Sequence, residues 1–450
     1  MNKLIYATFA LLLFFFASCE KDTSLDKTPV NEWIYEKMQK YYLWNDEIPA
    51  VSKTNPNDNP EDFFESLLSK KDGKHTADQD YFYSTIEEDV STKSGSISTT
   101  HGFKANYYAL NSNKVVARIQ YVNYLSPAEE AGLKRGEWIS HYNGIELTQT
   151  TYQDFHKYTG SMTLSLGTIQ NGTFIKSREV EVPAAVSMEI NPIFIDTTYL
   201  INNKKIAYLM YNSFTSGPTG NDDKTYNDQM RSVFANFLAQ NPDEFILDLR
   251  YNPGGLLSCA QLLATLLAPQ DALDKLFCKL VYNESLNKDD EEYTFDRNLI
   301  GTGKNLNLKR LYIITEEGTA SSSELIISGL LPYLNDNLIL IGNVTEGKNV
   351  GSQEFSDKTN HSWILHPITC WVKNSEDYYE YADGFKPDFE VNETHYYGEL
   401  NNLGETNEYM LSQVLHIIET GSLPSIFRNA EGKLHHLPQP QKGVRSVIID

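Results

Sequence analysis

A serine and a lysine that could act as a catalytic pair lie in the stretch from Leu311 to Lys348. Ser321 follows an apolar run at 311–315 that predicts a strand, and it precedes residues with the apolar spacing of a helix. Lys348 follows a second apolar run, at 338–341. A serine hydroxyl needs a base to become nucleophilic, and a neutral lysine amine can be that base. The stretch therefore predicts a serine and a lysine at the same end of two neighbouring strands.

Ser321 also has a simpler interpretation. Together with Glu324 it forms the pattern of a helix capping box, in which the serine only satisfies backbone amides of the first turn. Catalysis would require Lys348 to be neutral, which burial favours because desolvation penalises the charged amine. This stretch alone leaves both interpretations open.

A glycine turn elsewhere in the chain could stabilise negative charge beside the serine. Residues 245–250 predict a buried strand, and Asn252 and Pro253 lead from it to Gly254, Gly255 and a helical pattern. Glycines at a helix N-terminus let backbone N–H groups face a ligand, as an oxyanion hole requires. An ordinary strand-to-helix turn would have the same sequence.

In combination, DLRYNPGG at 248–255, GTASSSE at 318–324 and GK at 347–348 resemble the C-terminal processing (tail-specific) serine proteases, in their Ser-Lys branch. The resemblance runs from about Gly102 to Val391, and residues 381–388 match the closing strand motif of that family. It implies Ser321 as the nucleophile, Lys348 as the general base, and the backbone amides of Gly254 and Ser322 as the oxyanion hole. The implied activity is endoproteolysis of extracytoplasmic proteins or peptides that are recognised through their C-terminal tails.

The chain departs from the family pattern around the lysine. Glu346 stands where the family usually has an aromatic residue, and a carboxylate there would favour the charged lysine. Ser352 stands where many members have a glutamine, and an insertion lies near Asn335. One alternative is therefore a peptide-binding lipoprotein that keeps the protease fold with weak or no turnover.

A second alternative is a Ser-His-Glu arrangement. Neither glycine motif contains a histidine, and the nearest candidates are His361 and His366. This alternative is disfavoured by the sequence, and alanine substitution of the two histidines separates it from the Ser-Lys dyad.

Residues 96–184 predict short strands with two helices, and SPAEEAGLKRGEWISHYNG at 126–144 resembles a segment of PDZ domains. The resemblance implies that a peptide adds as a strand to the sheet edge. His101, Gly102 and Phe103 would form the loop that binds its terminal carboxylate, and residues 152–158 would form the groove helix. The alternative is a module that only packs on the protease.

The first residues resemble a bacterial lipoprotein signal. Lys3 precedes an apolar run at 4–16, which is shorter than the roughly 20 residues of a membrane-spanning helix. Small residues then precede Cys19, which would carry the lipid. A secretory signal with an incidental cysteine is the alternative. The lipoprotein interpretation implies anchoring to the outer membrane, on its periplasmic or its surface-exposed face.

The predicted fold class is α/β within a multi-domain α+β chain. After the signal at 1–19 and a tether at 20–29, we predict four parts in the order helical N-terminal domain, PDZ-like domain, α/β protease core with crossover helices, and C-terminal helix with tail: 30–95, 96–184, 185–395 and 396–450. A chain of 450 residues has room for these domains.

Composition limits the partners and cofactors. A net charge of −22, from 38 basic and 60 acidic residues, disfavours nucleic acid as a partner. Cys259, Cys278 and Cys370 are widely spaced, which favours buried free thiols over disulfides or a zinc site. We therefore expect no metal and no cofactor.

Overall fold

The computed structural model describes residues 28–76, 80–88, 97–286, 290–424, 434–437 and 447–449. The predicted signal, the tether up to residue 27 and the lipid on Cys19 lie outside the described residues. Within those residues, no helix has the length and apolar character needed to cross a bilayer.

The N-terminal module combines two helices with short strands. One face of the first helix buries Ile34 and Met38, four residues apart, as an amphipathic helix does. These side chains pack against Val350 and Leu365 from the far end of the chain. The predicted helical domain thus also contains strands, and it packs directly on the later core. Its elements are α1 (Thr28–Tyr41), α2 (Pro60–Glu65), β1 (Lys74–His75), β2 (Asp80–Tyr81) and β3 (Thr85–Glu88).

A β-rich module follows. Its main sheet has the order β10-β9-β7-β6-β5, with antiparallel neighbours, and its core lies between this sheet and a short helix that contributes Phe155. Its elements are β4 (Ile97–Thr100), β5 (Phe103–Ala109), β6 (Val115–Val122), α3 (Pro127–Glu130), β7 (Trp138–Tyr142), β8 (Ile145–Glu146), α4 (Tyr152–Lys157), β9 (Met162–Gln170), β10 (Thr173–Val182) and β11 (Val186–Glu189). This order gives the predicted strands and two helices. That the module is PDZ-like stays a prediction.

The largest part of the chain alternates strands and helices. Its elements are β12 (Ile193–Ile201), β13 (Lys204–Tyr211), α5 (Thr225–Gln240), β14 (Glu244–Asp248), α6 (Leu257–Leu267), β15 (Leu276–Tyr282), β16 (Glu291–Thr294), β17 (Leu311–Thr315), α7 (Ser322–Leu334), β18 (Leu338–Gly342), β19 (Val350–Ser352), β20 (Phe355–Ser356), β21 (Trp363–His366), β22 (Ile368–Lys373) and β23 (Phe389–Glu390). After them come α8 (Tyr409–Thr420), β24 (His435–Leu437) and β25 (Val447–Ile448).

The central sheet has the order β12-β13-β14-β17-β18-β23, and every pair from β13 onwards is parallel. Helices α5, α6 and α7 connect the successive parallel strands, as crossover connections require. Alternate residues of β13 face opposite sides: Leu209 packs with the crossover helices and Tyr208 packs under α8. The predicted α/β fold class is confirmed.

A second sheet, of order β16-β15-β22-β19-β25, stands beside the central one. A small sheet joins β20 and β21 to β3 of the N-terminal module. Cys259, Cys278 and Cys370 are buried free thiols, which confirms the prediction.

Candidate active site

Three chain turns meet at one edge of the central sheet because β14, β17 and β18 are parallel neighbours. Parallel strands end at the same edge, where loops collect functional side chains. The loop after β14 holds Gly254, the loop after β17 holds Ser321, and the loop after β18 leads to Lys348. The structure therefore brings together the three motifs predicted from the sequence.

Ser321 occupies a strained turn between β17 and α7. Its φ of 61° is in the left-handed region, which a residue with a side chain adopts at a cost of about 1–3 kcal/mol. The residue is fully buried, and its hydroxyl has no hydrogen-bond partner among the described residues. Glu324 makes the capping-box bond to the Ser321 N–H, whereas the unbonded hydroxyl is in the position that a nucleophile awaiting a substrate needs.

The serine turn is bonded directly to the glycine turn. The backbone N–H of Ala320 donates to the Asn252 carbonyl at 3.2 Å, and the Ser323 hydroxyl donates to the same carbonyl at 3.0 Å. The Ser322 hydroxyl donates to the Gly255 carbonyl at 2.7 Å. These bonds fix the predicted nucleophile against the predicted oxyanion hole.

Gly254 must be a glycine at this contact. Its φ is 103°, and a methyl group there would lie 2.7 Å from Ser321 Cβ and 2.9 Å from its Oγ. The Gly254 N–H donates to Asn252 Oδ1 at 2.9 Å. A substrate oxyanion would therefore have to replace the asparagine oxygen as the acceptor of this N–H.

The Glu324 carboxylate connects the serine turn to the lysine loop. Its Oε2 accepts from the backbone N–H of Ser321 and of Lys348, both at 2.8 Å. Its Oε1 accepts from the Thr345 hydroxyl and the Gly347 N–H, both at 2.6 Å. Burial raises the pKa of Glu324 to about 7 in spite of these donors. One buried side chain thus sets the relative position of Ser321 and Lys348.

Lys348 is fully buried, and this burial governs its protonation. Desolvation lowers the pKa of Lys348 to about 7, although Asp72, Glu346 and Glu324 act in the opposite direction by their charges. The Tyr83 ring lies 4.4 Å from the lysine Nζ. A substantial fraction of Lys348 is therefore neutral near pH 7 and able to accept a proton.

The charge of Glu346 favours protonated Lys348, but desolvation of the lysine outweighs it, and other groups also bind the Glu346 carboxylate. It accepts hydrogen bonds from the hydroxyls of Tyr81 and Tyr83, the second at 3.2 Å. Lys74 Nζ lies 3.8 Å from the same carboxylate. The sequence analysis assigned no chemistry to the N-terminal module, yet the module supplies the groups around Lys348. The alternation of Tyr81 and Tyr83 on one face was the available signal, but it did not indicate what that face contacts.

A buried ion-pair network holds the residues that lead into the glycine turn. Arg250 Nη2 lies 2.7 Å from the Asp248 carboxylate, and Arg250 Nη1 lies 2.8 Å from the Glu393 carboxylate. Arg135 of the β-rich module lies 2.6 Å from the same Glu393 carboxylate. Burial alone would raise the pKa of Glu393, but the two guanidinium groups outweigh burial and lower it to about 2. The acidic and basic residues of the DLR motif thus join the β-rich module to the core.

The predicted carboxylate loop lies at the start of β5. His101 Nε2 lies 2.8 Å from the Gly160 carbonyl, and the Gly102 N–H donates to Thr100 Oγ1 at 3.0 Å. Gly102 has a φ of 84° and packs against Ser126, whereas Phe103 pairs with Val122 in the sheet. Peptide binding by this loop stays a prediction.

Of the two histidines of the Ser-His-Glu alternative, His366 ends β21, in the small sheet that includes β3, and His361 lies just before that strand. The His361 ring packs at a tilt of 59° against Trp33, with ring centroids 4.3 Å apart, and His366 Nε2 lies 3.9 Å from the Glu87 carboxylate. Within the described part of the chain, no hydrogen bond joins either histidine to Ser321. The geometry favours Lys348 as the base.

The Gly254→Ala substitution tests the contact between the glycine turn and the serine. We expect it to abolish labelling of Ser321 by a fluorophosphonate probe, because the new methyl group would displace the hydroxyl. Gly144→Ala is the matched control, since Gly144 also has a positive φ, of 76°, and open space around it. Equal labelling of both variants would contradict this assignment.

The Glu324→Gln substitution tests the connection between the two loops. A glutamine amide group would face two of the four donors, so we expect a loss of about 1–3 kcal/mol in the free energy of unfolding, measured in urea. Labelling of Ser321 should fall as well. Glu317→Gln is the control, because that carboxylate lies on the same turn and its side chain is 50% exposed. An unchanged free energy of unfolding would refute the connection.

Comparisons with known proteins agree with this geometry. The profile of Peptidase family S41 matches residues 205–391, and that of the Peptidase S41 N-terminal domain matches residues 29–85. A carboxyl-terminal-processing protease of Picosynechococcus sp. is 27% identical over 50% of this chain and 49% of its own length. The carboxyl-terminal-processing peptidase 3, chloroplastic, of Arabidopsis thaliana is 29% identical over 50% of this chain and 41% of its own length. The chain thus spans about half the length or less of these curated relatives.

A solved structure gives a fuller match. A Bacteroides fragilis protein assigned to the S41 proteases superimposes with a TM-score of 0.74 and 34% identity, over 87% of this chain and 97% of that one. Sequence, fold and site geometry agree, and the chain belongs to peptidase family S41.

Proposed function

We propose that this chain is a serine endopeptidase that cleaves extracytoplasmic proteins or peptides with a Ser-Lys dyad. The observation that carries the proposal is the pairing of a buried, unbonded serine hydroxyl with a buried lysine whose pKa is about 7. Glu324 holds both residues through their backbone N–H groups. A structural role for Lys348 would not explain its burial among groups that leave it partly neutral.

The geometry supports a two-step acyl transfer. Ser321 Oγ attacks the scissile carbonyl carbon while Lys348 Nζ accepts the hydroxyl proton. The backbone N–H groups of Gly254 and Ser322 stabilise the oxyanion, and collapse of the tetrahedral intermediate breaks the C–N bond as Lys348 returns a proton to the leaving amine. Water then attacks the acyl-enzyme, again with Lys348 as the base, and releases the serine.

Substrates would reach the site as extended tails. A peptide would add as a strand beside β5, which follows His101 and Gly102 and begins at Phe103; β24 pairs with residues 107–109 of the same strand. We propose that the protein is located at the outer membrane, with Cys19 as the lipid-bearing residue. Replacement of Cys19 by serine should release the protein from the membrane fraction and abolish its labelling by radioactive palmitate.

A peptide-binding protein with weak turnover is the second candidate. Two observations favour it: the charge of Glu346 opposes neutral Lys348, and Asn252 occupies the N–H of Gly254. An active protease in its resting state, without a substrate, would show the same two features.

The pH dependence of proteolysis tests the dyad. Below its pKa of about 7 Lys348 is protonated and cannot accept the serine proton, so we expect kcat/KM to rise with pH and to level off above pH 7–8. An ordinary lysine would place this rise near pH 10.4.

The substrate in this assay is an unfolded protein with an apolar C-terminal tail. Ser321→Ala and Lys348→Ala should both remove cleavage, whereas Lys309→Ala, at an exposed lysine, should not. Cleavage that survives Lys348→Ala would refute the mechanism.

The Glu346→Gln substitution distinguishes the two candidate functions. Removal of the negative charge should lower the pKa of Lys348, so the midpoint of the pH profile should move down by roughly one pH unit. Glu354→Gln, at an exposed carboxylate, is the control. An inactive parent that gains activity only with Glu346→Gln would instead support the peptide-binding candidate.

A further inference from the structure

Two strands that follow α8 lie on the two sheet edges where a substrate polypeptide is expected. β24 pairs antiparallel with β5 of the β-rich module, and β25 pairs in parallel with β19, the strand that follows Lys348. We call β24 and β25, with residue 449, the tail strands. Their positions argue for a role in substrate binding.

β25 lies between the glycine turn and the lysine strand. The Ile448 N–H donates to the Gly255 carbonyl at 3.0 Å, and the Ile449 N–H donates to the Ser352 carbonyl at 3.1 Å. The Gly255 carbonyl also accepts from the hydroxyl of Ser322, one residue after the nucleophile. The tail therefore makes the backbone hydrogen bonds of an added strand immediately beside the catalytic residues.

The side chains of β25 fill apolar space. Val447 is 1% exposed and belongs to the main core cluster, which also contains Leu256 and Cys370. Ile449 packs in the space left by the missing side chain of Gly351, whose added methyl group would lie 3.4 Å from Ile449 Cδ1. The groove between Gly255 and β19 thus accepts an extended segment with β-branched apolar residues.

β24 occupies the other edge in a similar way. Its register places Leu437 opposite Tyr107 and His435 opposite Ala109. Leu437 is buried in the cluster that also contains Phe155 of α4. An edge strand next to a helix is the arrangement that accepts a peptide by β-augmentation, and here the same chain supplies the added strand.

We propose that the tail strands occupy the substrate path of this protein in cis, so that a substrate must displace them. The substrate groove formed by Gly255 and β19 then selects extended polypeptides with Val or Ile side chains, the residues that the tail places there. The role of these edges in proteolysis rests on the function proposed above, whereas their binding of a peptide does not. Full burial of both Ser321 and Lys348 fits an occupied path.

The experiment compares two substitutions at one residue in the full chain. Ile448→Pro removes the N–H that bonds to the Gly255 carbonyl, and Ile448→Ala keeps that N–H while it shortens the side chain. The probe is a fluorescent peptide with the sequence of residues 445–450, RSVIID, and its affinity is measured in the Ser321→Ala background. We expect Ile448→Pro to bind the peptide roughly three- to tenfold more tightly than Ile448→Ala, the factor for one backbone hydrogen bond.

Cleavage and stability measurements separate the possible results. With Ser321 present, kcat/KM for an unrelated tail substrate should rise by a similar factor in Ile448→Pro. Tighter peptide binding without cleavage by any variant would support the groove and refute the proposed proteolysis. A lower urea midpoint with no gain in peptide binding would show that β25 is a permanent structural strand and would overturn the inference.

A second variant covers the case in which proline prevents folding. A chain that ends at Pro424 lacks both tail strands and keeps α8. It should bind the RSVIID peptide and cleave faster than the full chain. A folded chain of this length that does not bind the peptide would refute the proposal.

Discussion

The site depends on one buried carboxylate. Glu324 receives four hydrogen bonds, one from the serine turn and three from the loop at 345–348, and it has no exposure to solvent. An ionised carboxylate is expensive to bury unless such donors replace its hydration. Because the donors include the backbone of both Ser321 and Lys348, neither residue can move without breaking a bond to the same group. The spacing of serine and glutamate that looks like a helix cap in the sequence thus also fixes Ser321 relative to Lys348.

Burial favours the neutral form of Lys348, as a base requires, and it also lowers the stability of the folded protein. The pKa of Lys348 falls from its ordinary value to about 7 in the folded protein. Between pH 7 and the higher pKa of the unfolded chain, the unfolded state binds more protons, so the free energy of unfolding rises with pH in this window. Apolar packing from the N-terminal module must offset this penalty at neutral pH. The region that matches the family's N-terminal domain, at residues 29–85, contributes Tyr83 to the surroundings of this lysine.

Much of this arrangement could be predicted from the sequence because it is local. The apolar runs before Ser321 and Lys348 predicted parallel strands, and parallel strands bring their following loops together. The direction of the effect of Glu346 on Lys348 followed from its charge, but its hydrogen-bond partners Tyr81 and Tyr83 could not be predicted, because they lie more than 250 positions away in the sequence. The hydrogen bond from the Gly254 N–H to the Asn252 side chain is local, but it was not predicted. The N–H groups of a glycine turn can point either at a neighbouring side chain or at a ligand. Contacts between distant segments, such as β19 with β25, leave no periodic signal in either segment.

The need for a dry lysine explains why the chain would cover its own site. An open groove would admit water to Lys348, weaken the desolvation that lowers its pKa, and so protonate the base. The tail strand bonds to Gly255 and Ser352, and under the proposal above a substrate strand would replace it bond for bond. Such an exchange conserves the number of backbone hydrogen bonds, so it requires little net free energy. Because the backbone bonds would be equivalent before and after the exchange, side-chain fit in the groove would decide which polypeptide displaces the tail.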